Sequence, residues 1–117
     1  AWESFDGPQV VFTVQKSWAQ KNEDKLVSFL RAASRGVDFL YDRKNREKAA
    51  EILVKSIGGT KEDALANYDE WMGANKVMAE KLNITPAGIK AFLDIRDSKE
   101  DPNKFLTLTY LQKALAK

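Results

Sequence analysis

An apolar ribbon near the amino end, QVVFTVQ over residues 9–15, constrains the fold more than any other stretch. In an extended chain Val10, Phe12 and Val14 fall on one face, and Val11, Thr13 and Gln15 on the other. β-Branched and aromatic residues suit that conformation, so the pattern predicts a strand over residues 8–16. A single strand leaves its own N–H and C=O groups unmet, and even an isolated hairpin is marginal in water. No other stretch reads as a convincing partner strand. The ribbon therefore calls for a sheet that the remaining residues do not supply.

Downstream of the ribbon the signals are helical. Ser17 and Gln20 have the spacing of a capping box and predict a short turn carrying Trp18, with Asn22 or Asp24 capping a longer helix. That helix buries Leu26, Phe29, Leu30, Ala33, Val37, Leu40 and Tyr41 at three-and-four spacing. The small residues Ala32, Ala33 and Gly36 leave room for another element to approach. A second helix carries Ala49, Ile52, Leu53 and Ile57 and stops at Gly58-Gly59. Thr60, with Asp63 three residues on, caps a third, whose aromatic stripe Tyr68 and Trp71 reads as core. Gly73 interrupts it, and a short helix is expected over residues 76–82. Thr85-Pro86 starts the next, and a last helix begins near Thr107 or Thr109. The expected fold is mainly α with one or two β-strands, in a single domain over residues 1–117.

Composition excludes several chemistries. At 44% hydrophobic and 31% charged, the 117 residues suffice for a folded domain. The 19 basic and 17 acidic side chains are interleaved, leaving a net charge of +2 and no concentrated basic face for nucleic acid. Arg43, Lys44, Arg46 and Lys48 form a local basic cluster that can meet an acidic partner, but Asp42, Glu47 and Glu51 dilute it. With no His and no Cys, the commonest general base, the thiolate nucleophile and the common transition-metal ligands are missing. No phosphate loop or calcium loop is present. The expectation is a non-enzymatic protein with no catalytic residues, no metal and no cofactor.

The segment PQVVFTVQKSWAQKNEDKLVSFLRAASRGVDFL resembles the return strand and following helix of solute-binding proteins of bacterial ABC importers, in the nitrate, sulfonate, taurine and pyrimidine-precursor family. Its carriers here are the Trp18-Ala19 pair and the pattern of Phe29, Leu30, Ala32 and Ala33. The similarity continues through KAAEILVKSIGGTKEDAL, ITPAGIKAFLDI and TLTYLQKAL, which resembles the family's closing helix. Thr107 stands where that helix commonly has Asp. The resemblance implies the carboxy-terminal portion of a two-lobed α/β periplasmic-binding-protein (type II) fold, with residues 8–16 as a crossover strand and 17–117 as its helical region. Sequence that precedes these residues would then complete the sheet.

The same resemblance implies a small anionic or heterocyclic ligand bound through the full-length protein, docking on a membrane permease, and a periplasmic or outer-face membrane-tethered location. Trp2, Glu3, Phe5 and Asp6 precede the crossover strand and are the expected ligand-binding residues; packing between lobes is the plainer role for the two aromatics. Two other readings remain open: a pyrimidine-precursor synthase of the same fold, and a helical interaction domain whose strand pairs with a second copy.

Overall fold

The computed structural model describes residues 10–116. It is mainly helical, as the sequence predicts: α1 (Lys16–Lys21), α2 (Glu23–Tyr41), α3 (Arg46–Ile57), α4 (Lys61–Tyr68), α5 (Pro86–Ile95) and α6 (Thr109–Leu115). The described residues fall into two compact units, one formed by residues 10–30 with 83–116, the other by residues 31–82. Helix α2 runs from the first into the second.

The expected strand is the main correction. Among the described residues there is no strand, and residues 10–15 form no ladder, although Gln15 is extended at φ −67° and ψ 135°. The alternation is present, but alternation only sorts side chains between two faces. A strand also needs a neighbour to take its N–H and C=O groups, and the described residues offer none. The rest of the first unit is held by a helix cap, a helix-on-turn contact and an ion pair distant in sequence. The Thr85 hydroxyl accepts from the Gly88 amide at 3.1 Å and Pro86 opens α5, whose partner is the 3₁₀ turn Pro102–Phe105. Helix α6 starts at Thr109, and Lys113 pairs with Glu23 at the start of α2. Ala19, Leu26 and Ala114 are buried.

In the second unit α3 packs on α4. Its core joins Ala49, Tyr68 and Met72 to Phe39, Leu40 and Tyr41 at the end of α2. The aromatic stripe is therefore split: Tyr68 is buried, whereas Trp71 is half exposed. Before α3, Asp42 caps a 3₁₀ turn over Arg43–Asn45 by accepting from the Lys44 amide. The Gly58-Gly59 stop is real, with φ of 84° and 91°, a region open to glycine at no steric cost. Thr60 then caps α4 by accepting from the Asp63 amide at 3.1 Å and donating to the Asp63 carboxylate at 2.7 Å.

Beyond Tyr68 the chain departs from expectation. Residues Asp69–Ala74 form a π-helical turn, and the Asn75 amide donates to the Glu70 carbonyl five residues back. The helix expected over 76–82 is reduced to a single 3₁₀ turn, Glu80–Leu82, interrupted by a left-handed Lys81. No described atom comes close enough to Gly36 to use its small size, since a Cβ there would meet nothing within 4 Å.

These backbone states give two substitutions of opposite sign. Gly36→Ala, in an open helix interior, is expected to stabilise the protein by about 0.5–1 kcal/mol. Gly58→Ala forces a side chain into the left-handed region and is expected to cost about 1–2 kcal/mol. Urea unfolding followed by circular dichroism checks both, and a destabilised Gly36→Ala would mean that something packs there.

Candidate functional site

The expected ligand residues Trp2, Glu3, Phe5 and Asp6 lie outside the described residues. The ribbon they lead into is described, and its chemistry is apolar. Val10 is 88% exposed and Phe12 59%, with Val11 and Val14 about half exposed. Phe12 has one aromatic contact, an edge-to-face meeting with Phe29 of α2 at 5.1 Å between ring centres and 86° between planes. Such a pair contributes about 0.5–1.5 kcal/mol beyond its area. Full burial of each large apolar side chain is worth about 1.5–3 kcal/mol, so several times that amount is left ungained along the ribbon. Trp18, on the first turns of α1, adds a further half-exposed aromatic.

The second concentration of polar groups is in the other unit. Asp69 is held by two arginines: Arg46 reaches it through Nε at 2.8 Å and Nη2 at 2.6 Å, and Arg43 through Nη2 at 2.9 Å. The Arg43 guanidinium also lies over the Tyr68 ring, 5.1 Å from its centre. Beneath it the Tyr68 hydroxyl donates to the Leu40 carbonyl at 2.5 Å. The hydrogen bonds from Arg46 and Arg43 hold the Asp69 carboxyl at about 2, well under its ordinary value. Arg46 is raised in return, chiefly by the same hydrogen bond.

The basic cluster read in the sequence is therefore largely engaged at home. Arg43 and Arg46 close on Asp69, and Lys48 pairs with Glu51 at 3.4 Å. Neighbouring Glu47 pairs with Lys61 at 2.7 Å, which lowers the carboxyl and raises the amine. An open depression beside this pair is lined by Glu51, Val54, Lys55 and Lys61. It encloses nothing. Among the described residues no three His, Cys, Asp or Glu side chains gather as a metal site, and no buried side-chain polar atom lacks a partner. No described helix is long and apolar enough to cross a membrane.

Comparison with protein-family models, curated proteins and solved structures gives no match. The functional reading therefore rests on the residues themselves. Sequence reasoning missed Asp69, the residue that both arginines serve. Its only local signal was an acid between the two aromatics of the stripe, since its partners lie 23 and 26 residues earlier.

The Asp69 clamp sets a pH dependence. A carboxyl depressed from 3.8 to about 2 on folding contributes stability above pH 4, and that contribution is lost as pH falls from about 4 through 2. A carboxyl-carbon NMR titration is expected to place the Asp69 midpoint near 2. Arg46→Met should raise it towards the ordinary carboxylate range. A midpoint near 3.8 in the unaltered protein would show that the clamp does not form.

Proposed function

We propose that this chain is the helical carboxy-terminal portion of a two-lobed solute-binding component of a bacterial ABC import system. Its ligand is a small anionic or heterocyclic solute of the nitrate, sulfonate, taurine or pyrimidine-precursor kind, held reversibly rather than turned over. The protein works in the periplasm or tethered on the outer face of the membrane, and a permease receives the closed, loaded form.

One observation carries this reading. The ribbon over residues 10–15 is apolar, exposed and without a ladder, and it feeds directly into α1 and α2 in the order that the resemblance requires. A segment with that composition gains most by becoming one strand of a sheet whose other strands come from elsewhere. In the two-lobed arrangement those strands belong to the same polypeptide, and the crossover puts Trp2, Glu3, Phe5 and Asp6 beside the cleft. The helical pattern that follows is consistent with this assignment: α5 opens at Pro86 behind its Thr85 cap, and α6 opens at Thr109.

The same exposed ribbon favours a second reading, a helical interaction domain in which two copies pair strand to strand across a two-fold axis. Sedimentation separates the two, because a protein that stays monomeric at high concentration has no self-pairing strand.

Isothermal titration calorimetry of the protein expressed from its whole open reading frame, against nitrate, ethanesulfonate, taurine and an aminopyrimidine, tests the leading proposal. Saturable binding of at least one is expected, with no product formed, and Trp2→Ala should weaken it about tenfold or more, the scale of one lost buried aromatic contact. A full-length protein that binds none of the four overturns the assignment. Binding that Trp2→Ala leaves unchanged removes the lead-in residues from the site.

A further inference from the structure

The segment from Asn75 to Leu82 has unusual backbone energetics. Lys76, Lys81 and Leu82 all sit in the left-handed region, at φ of 45°, 56° and 55°, and none is glycine. Each such residue disfavours the observed conformation by a factor of about 5–30. Against this stand two ties to α2. The Tyr41 hydroxyl donates to the Met78 carbonyl at 2.5 Å, and Lys81 Nζ pairs with Asp38 Oδ2 at 2.6 Å. A hydrogen bond of this kind favours closure by a factor of about 2–10, and an exposed ion pair by about fivefold at most.

Burial does little to redress the balance. Every residue from Gly73 to Lys81 is exposed, and Val77 and Met78 present large apolar side chains to solvent. Two backbone bonds join it to the π-helical turn, from the Asn75 amide to the Glu70 carbonyl and from the Val77 amide to the Trp71 carbonyl, and the Leu82 amide donates within it to the Ala79 carbonyl. The strain thus matches or outweighs the side-chain ties.

We propose that residues 75–82 are a strap that opens locally while the rest of the 31–82 unit stays folded. Its latches are Tyr41 and Asp38, one turn apart on α2. Opening relaxes the three left-handed residues and frees the Tyr41 phenol and the Asp38 carboxylate together. The π-helical turn supplies the fixed end, since it is anchored through Tyr68 and Asp69 before the strap begins. The inference is independent of any solute and of the ribbon.

Amide hydrogen exchange by NMR on the whole chain tests it. The Val77 and Leu82 amides are expected to exchange at least about 100-fold faster than Leu53 and Val54 in α3, the gap that separates local from global opening. Tyr41→Phe keeps the ring and removes the latch, and should speed Val77 and Leu82 by about 2–10-fold without changing Leu53 and Val54. Lys76→Gly removes one strained residue and should slow them by about 2–5-fold, because glycine's extra freedom in the open state offsets part of the relief. Equal rates for the two pairs of amides would overturn the proposal. So would a Tyr41→Phe effect spread equally over both pairs, or fast strap exchange that neither substitution moves.

Discussion

Two adjacent residues, Tyr68 and Asp69, hold together what the rest of the 31–82 unit depends on. A helix ends with four carbonyls that no intrahelical donor can reach, and α2 has no basic side chain in its last turn to answer them. Donors arrive instead from outside. Tyr68 gives its hydroxyl to Leu40, and Asn45 gives its side-chain amide to Phe39 at 3.0 Å. Asp69 then gathers Arg43 and Arg46 from the 3₁₀ turn and the start of α3. Surface ion pairs ordinarily contribute little. Here one arginine grips both carboxylate oxygens while a second shares one of them, and fork geometry of that kind fixes direction as well as distance. The clamp therefore ties the first residue of α3 and the turn before it to the end of α4.

Among the described residues the other unit has no equivalent knot, and its ribbon shows the consequence. Helix α5 has its Thr85 cap, whereas α1 and α6 form without a side-chain cap, because each helix satisfies most of its backbone within itself. An extended ribbon has no such resource. Its donors and acceptors must face water or another chain segment, and its valines and phenylalanine favour the second choice. The single edge-to-face contact with Phe29 orients the ribbon against α2 without covering it. That imbalance leaves most of the ribbon's apolar surface exposed.

Legibility followed the distance between interacting groups. Thr60 with Asp63, Thr85 with Pro86, and the Gly58-Gly59 stop act over three residues or fewer, and each could be read directly. Ala49 and Tyr68 emerged from helical spacing and are buried as that spacing requires. The 3₁₀ turn before α3 could not be read, because nothing in RKN separates it from a first turn of α-helix, and the Asp69 partner of Arg46 lies 23 residues away. The π-helical turn was equally hidden, since nothing in DEWMGA separates it from an ordinary α-helical turn. The ribbon is the instructive failure: its alternation was read correctly as two-faced, but a strand is a property of two segments and the pattern concerned only one. Tyr41 and Asp38 looked like members of an amphipathic helix, and their contacts with Met78 and Lys81 lie 37 and 43 residues off.

The clamp and the strap sit on either side of one π-helical turn, and that placement decides how far a disturbance in either can travel. Asp69 stands at the first residue of the turn, and the strap leaves after Ala74. Between them the Asn75 amide is tied to Glu70, and Met72 is buried in the core. Lifting the strap requires breaking the latches and the Val77 bond, none of which involves Asp69, Arg43 or Arg46. Conversely, protonating Asp69 releases the arginines but leaves Tyr41 bonded to Met78. A widened turn with a buried residue and its own backbone bonds thus insulates a strongly held corner from a weakly held one. A stretch with three left-handed residues can persist beside a well-packed core because the core does not have to bear the strain.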